Sequence, residues 1–300
     1  MLTLPQLQRY ASQSGLRNIT IAEQEVILTY VLQLFGEKGI LDLLAFKGGT
    51  CLRKLHLGSQ GRFSTDLDFT AIREHEPDDI ILEMMSAFEE PFHGITFALE
   101  DDAYYTTQDN LSWGITPVYK HDWNPSGNSE IKLQVSMREV PTLETQSLAQ
   151  CEQSYFPQLP FVPREITSLA LEEVIAEKIR ACYQRDKARD IYDLGVFATR
   201  PLNQALIRRL VVLKVWQSGD SFDPARLIGK FEDGSSFDWS DLNDLVNRAE
   251  KIVPEETTKA CTTGYTFLTQ LSEGEAALAS DAHKRENALW EMLRSELPET

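Results

Sequence analysis

One stretch limits this chain more than any other: Phe46-Lys-Gly-Gly-Thr-Cys-Leu-Arg-Lys54, then Arg62-Phe-Ser-Thr-Asp-Leu-Asp-Phe69. Alternate side chains of a strand share a face. Asp66 and Asp68 therefore stand together, with Leu67 and Phe69 packed behind them. Two adjacent carboxylates repel unless a cation lies between them. Mg²⁺ takes hard oxygen ligands, often one or two carboxylates plus substrate phosphates. Upstream, Gly48-Gly49 lets the backbone approach an anion, and a following helix aims its N–H groups there. Lys47, Thr50, Arg53 and Lys54 add charge and a hydroxyl. The stretch asks for a strand, a glycine turn, a helix and a second strand around one cleft. The turn would bind a triphosphate, and the Asp pair would hold the metal that bridges it.

The rest of the chain falls into an α/β half (1–160) and a helical half (161–300). Thr20-Ile-Ala-Glu23 has the pattern of a capping box before an apolar helix ending near Gly36. Strands are expected over 41–46, 65–70, 95–99, 113–119 and 130–136, with a helix over 77–90. Pro157, Pro160 and Pro163 mark an extended linker. Helices are expected over 168–184, 189–198, 202–217, 241–252, 256–271 and 282–296. Residues 219–240, rich in Gly, Ser, Asp and Pro, read as a loop. The four Cys and five His are scattered, which argues against a Cys/His zinc site and for reduced thiols. No signal peptide is expected, and no apolar run approaches the ~20 residues that span a bilayer. A cytoplasmic protein with no membrane partner is expected.

Gly-Gly-Thr-x-Leu-Arg-Lys (48–54) followed by Arg-x-Ser-x-Asp-x-Asp-Phe (62–69) resembles the AbiEii/AbiGii nucleotidyltransferase toxins. Ala176-Glu-Lys178-Ile-Arg-Ala181 and Arg189-Asp190-Ile-Tyr-Asp193-Leu194 are similar to that family's third and fourth motifs. The resemblance runs from about residue 40 to 198. It implies an α+β, DNA polymerase β-like nucleotidyltransferase core with a helical C-terminal half. It further implies transfer of a nucleoside monophosphate from an NTP to an RNA acceptor such as a tRNA 3′ end. Asp66 and Asp68 would hold Mg²⁺. Lys47, Gly48, Gly49, Thr50, Lys54, Arg62 and Ser64 would bind the nucleotide. Lys178 would neutralise phosphate charge together with the fourth-motif acid, which is Asp190 or Asp193. A cognate antitoxin, encoded alongside and not obliged to touch the toxin, is the implied partner. Polymerase β-like folds usually carry a third carboxylate on a neighbouring strand. The candidate strand here is 130–136, on which Gln134 would take that position, with Glu130 or the fourth-motif Asp as the alternative acid.

The net charge of −17 argues against nucleic-acid binding over the whole surface. The charge is uneven, however. Residues 47–62 hold four Lys/Arg and no acid, and 178–214 hold nine Lys/Arg against three Asp. These windows carry +10 and leave −27 for the remainder. A basic cleft in an acidic body is the expectation. Two other functions compete: transfer to a small molecule or protein hydroxyl, and nucleotide binding with reduced turnover.

Overall fold

Asp66-Leu-Asp-Phe-Thr-Ala71 is a strand, and its Leu67 and Phe69 are fully buried as the alternation requires. The computed structural model that contains it describes residues 1–73, 76–107 and 111–298. Two compact units make up the chain. The first takes Met1–Pro141, Thr145–Leu169 and Asp244–Glu250; the second takes Thr142–Glu144, Ala170–Asn243 and Lys251 onward.

The first unit contains α1 (Leu4–Gln13), α2 (Ile19–Glu37), β1 (Leu44–Lys47), α3 (Gly48–Cys51), β2 (Asp66–Ala71), α4 (Pro77–Ser86), β3 (Thr96–Ala98), β4 (Tyr104–Thr106), β5 (Ser112–Ile115), β6 (Val118–His121), β7 (Asn124–Glu130), β8 (Lys132–Ser136), β9 (Gln146–Leu148) and β10 (Ile166–Ser168). One mixed sheet has the order β4-β5-β8-β2-β1-β10-β9, and β3, β6 and β7 make a separate one. β2 runs antiparallel to β1 and parallel to β8. Behind it, Phe69 meets Phe46 at 5.3 Å and Phe35 of α2 at 6.4 Å between ring centres. Burying one such ring contributes about 1.5–3 kcal/mol. α2 is buried on most sides, as a core helix is. Its cap is Asn18, whose side chain accepts from the Thr20 N–H. The expected Thr20/Glu23 capping box does not form, because Glu23 turns inward to His121 and Asn124. The single strand expected over 113–119 is two, β5 and β6, in different sheets. Pro117 lies at the break, where it has no N–H to give a ladder.

The second unit contains α5 (Leu171–Gln184), α6 (Ala188–Phe197), α7 (Gln204–Gln217), α8 (Pro224–Asp233), α9 (Pro254–Gly264), α10 (Glu273–Ala279) and α11 (Asn287–Ser295). α8 lies inside the expected loop. Asp223 caps it by accepting from Ala225 and Arg226, Pro224 starts it, and Gly234 ends it at φ 61°. Leu227 and Phe231 form its buried stripe. The helix expected over 241–252 is absent. Its main chain is used differently: Leu245 O accepts from Phe63, and the Arg248 N–H donates to Gly15 O. No described helix is long and apolar enough to cross a membrane.

Candidate active site

The glycine turn and the Asp strand interlock in the first unit. Gly48 begins α3 at φ 78°, a conformation that L side chains rarely adopt. A Cβ there would lie 2.5 Å from Asp68 Oδ2. At Gly49 a Cβ would lie 2.5 Å from Arg62 Nη2 and 3.4 Å from Ser64 Oγ. Gly48 is required by its positive φ, a side chain at Gly49 would have to push the end of Arg62 aside, and the two glycines gather Asp68, Arg62 and Ser64 around the turn. Gly48→Ala should cost about 1–2 kcal/mol from its positive φ alone, and should displace the Asp68 carboxylate as well. Chemical denaturation read beside activity will show both effects.

Lys47 is level with Asp68 across β1, and Lys132 is level with Asp66 across β8. Gln134 is level with Asp68 on the same strand as Lys132. Asp66, Asp68, Lys132 and Gln134 therefore share a face, while Leu133 and Val135 are buried on the other. Burial, and then the charges of Asp68 and Asp66, push the Tyr105 hydroxyl well up. Among the described residues no group of three His, Cys, Asp or Glu is arranged to hold a metal. Asp66 and Asp68 form a pair of hard-oxygen donors. That pair fits a divalent cation that completes its shell with substrate phosphates.

Two of the expected nucleotide-binding side chains face elsewhere. Thr50 is 1% exposed, and its hydroxyl donates to the Asp66 carbonyl, tying the turn to β2. Lys54 is 1% exposed; its ammonium donates to Glu25 Oε1 at 3.2 Å and Thr29 Oγ1 at 2.8 Å. Arg53 is drawn in too, with Nε 3.2 Å from Glu25 Oε2 and its guanidinium 3.6 Å over the Phe63 ring. Burial works to raise the Glu25 carboxyl, but Lys54 and Arg53 bring it below its ordinary value. Burial lowers the Lys54 ammonium, and Glu25 only partly restores it. One carboxylate cannot fully compensate two cations, and the shortfall falls on the lysine because Arg keeps its proton. Sequence held a signal for this cluster. Glu25 directly precedes the apolar run of α2 that begins at Val26, and a carboxylate turned to that buried side needs a cation.

In the second unit, Lys178 pairs with both candidate acids: Asp190 Oδ1 at 2.9 Å and Asp193 Oδ2 at 3.0 Å. Arg185 Nε lies 2.8 Å from Asp190 Oδ2. Burial would raise the Asp190 carboxyl, but Lys178 and Arg185 hold it well below the usual carboxylate range. A depressed folded-state value stabilises the protein above the unfolded Asp value of about 4. That contribution is lost as pH falls through the folded value. Asp190→Asn should therefore flatten the acid limb of a stability–pH curve, measured by urea unfolding between pH 2 and 6.

The basic windows are less basic than they read. Lys214 pairs with Glu173 and Glu177, Arg180 with Glu177, Arg208 with Glu275, and Arg209 with Glu275 and Glu296. With Arg53 and Lys54 also paired to Glu25, much of the apparent excess is cancelled by acids that lie outside the windows in sequence. Tyr105 escapes the sequence reading because the three-residue strand β4 has too little pattern to be seen; Gly114 and Lys132 lie on expected strands, but without β4 nothing in the spacing sets them against Tyr105.

The family model for the AbiEii toxin, a nucleotidyl transferase of type IV toxin–antitoxin systems, matches residues 32–278. No curated protein matches the chain. Among solved structures, MenT4, the nucleotidyltransferase toxin Rv2826c from Mycobacterium tuberculosis H37Rv, is similar at a TM-score of 0.84 and 25% identity, over 99% of each chain. The fold is accordingly the α+β, polymerase β-like nucleotidyltransferase core with a helical C-terminal part. Glycine turn, Asp strand and family match agree: the chain belongs to the AbiEii nucleotidyltransferase toxins of type IV toxin–antitoxin systems.

Proposed function

We propose that the protein transfers a nucleoside monophosphate from an NTP to the 3′ end of a tRNA, in the cytoplasm and with Mg²⁺. The observation that carries this reading is the fit of Asp68 against Gly48, with Asp66 beside it on β2. Asp66 and Asp68 would hold the divalent ion, with the Gln134 side chain next to them. A divalent ion there neutralises triphosphate charge and polarises the phosphorus under attack. The half-buried main chain of Gly48 and Gly49 would offer its N–H groups to phosphate oxygens, with Arg62, Ser64 and Lys47 around it. Lys178, bracketed by Asp190 and Asp193, is assigned the charge-neutralising role of the family's third and fourth motifs. The acceptor hydroxyl attacks the α-phosphorus in line. An acceptor O–P bond forms, the bond to the β-phosphate oxygen breaks, and pyrophosphate leaves. Positioning and charge neutralisation supply most of the rate. A cognate antitoxin encoded alongside would restrain this activity.

The test is incubation of purified protein with Mg²⁺, total tRNA and each labelled NTP in turn. Label on tRNA from the wild type and none from Asp66→Asn is the expected result. Label on a small molecule or on protein, with none on tRNA, would move the assignment to another acceptor. Affinity for tRNA that falls steeply with added salt would support a polyanionic acceptor.

A further inference from the structure

Tyr105, Gly114, Gln134 and Asp68 are level with one another across the adjacent strands β4, β5, β8 and β2. Side chains level with one another on neighbouring strands emerge on one face. A phenol on β4 has to cross β5 to reach β8, and Gly114 is what permits it. A methyl at Gly114 would overlap the Tyr105 hydroxyl and the Leu133 carbonyl. Through that gap Tyr105 Oη donates to Gln134 Oε1 at 3.4 Å and to Leu133 O at 3.5 Å. Both are long, as expected when one proton is shared between two acceptors. Lys132 stands 5.1 Å over the Tyr105 ring, holding it across β5.

The consequence lies in the amide. A glutamine side chain has one acceptor end and one donor end. Tyr105 takes the acceptor end of Gln134, and among the described residues Nε2 meets no acceptor. A half-buried N–H₂ group thus stands beside the Asp pair, where the phosphates of an NTP would lie. We infer that Gln134 donates a hydrogen bond to a phosphate oxygen of the bound NTP, and that Tyr105 is the positioning residue that turns its amide to do so. This inference rests on the NTP reading above. It makes the position next to Asp68 an anion contact rather than a third metal ligand.

The experiment measures binding of Mg²⁺ with α,β-methylene NTP analogues by calorimetry, beside transfer kinetics, for the wild type, Gln134→Ala, Gln134→Glu and Tyr105→Phe. A hydrogen bond to a charged partner predicts about tenfold weaker binding for Gln134→Ala. Gln134→Glu, which sets a carboxylate against phosphate, should be weaker still. Tyr105→Phe keeps the ring over Gly114 and loses only the hydroxyl. It should raise KM severalfold with kcat nearly unchanged and with unaltered thermal unfolding. Gln134→Glu binding as tightly as wild type, or tighter, overturns the inference, as does wild-type KM in Tyr105→Phe. A wild type that binds no Mg²⁺–NTP overturns the NTP reading itself, a result distinguishable from the other two.

Discussion

Asp68→Asn should reduce nucleotidyl transfer by at least about a hundredfold, the scale on which single preorganised electrostatic groups act. Stability should move far less. Asp68 stands one residue beyond Leu67 from Asp66 on the same face, so removing one charge relieves a repulsion. Against that, each carboxylate is level with a lysine, Lys47 for Asp68 and Lys132 for Asp66. A cross-strand pair of opposite charges contributes about 0.2–1 kcal/mol. The two effects oppose, so the melting temperature should shift by no more than a few degrees in either direction. Loss of transfer with an intact fold is the signature of a residue that works on substrate. A variant that transfers at the wild-type rate, with its fold intact, would remove Asp68 from the site. Asp66→Asn should behave in the same way.

Glu25→Gln should produce the opposite pattern, a large loss of stability away from the Asp pair. Glu25 is fully buried and is the carboxylate shared by Arg53 and Lys54. Removing it leaves two buried cations, and breaking a buried pair costs about 3–5 kcal/mol. Lys54 can shed its proton whereas Arg53 cannot. Its folded-state value is already lowered, so the unfolded chain binds more protons at that group and stability rises with pH. In the Gln variant that dependence should steepen, with part of the loss recovered between pH 8 and 10. Guanidinium unfolding across that range is the measurement. A variant as stable as wild type at pH 7 would mean that the cluster contributes nothing net. Lys54→Met should be milder, because it leaves Glu25 paired with Arg53.

These two outcomes follow the line between what the sequence made legible and what it did not. Asp66, Leu67, Asp68 and Phe69 could be placed by period alone, because a strand offers only two faces. The stripe Leu171, Val174, Ile175 and Ile179 of α5 is legible by period too: the last three are buried, and Leu171, at the helix start, is half-buried. Lys54 and Thr50 were misplaced because spacing gives nearness along the chain but not the direction a side chain takes. What turned Lys54 inward is Glu25, on a different helix. The basic windows failed for the same reason: the acids that cancel them, Glu173, Glu177 and Glu275 among them, lie outside or across the windows in sequence. α8 was hidden by composition, although Asp223-Pro224 at its start and Gly234 at its end are ordinary helix signals. The segment 244–250 reads as part of a helix over 241–252, because its pattern of apolar and polar residues carries no trace of the main-chain partners that hold it in turns. Its partners, Phe63 and Gly15, are more than 180 residues upstream.

That segment bears on how the protein can be dissected. A fragment ending at Leu169 would contain every strand of both sheets and both Asp residues, yet it would lack residues 244–250. The Phe63 N–H, immediately after Arg62, and the Gly15 carbonyl would lose the main-chain partners they have in the intact chain. An unmade main-chain bond costs about 1–3 kcal/mol where the group stays buried. Cutting between the sheets and the helices is therefore not a clean excision. Any minimal catalytic piece needs residues 244–250 supplied again, by a covalent graft or as an added peptide.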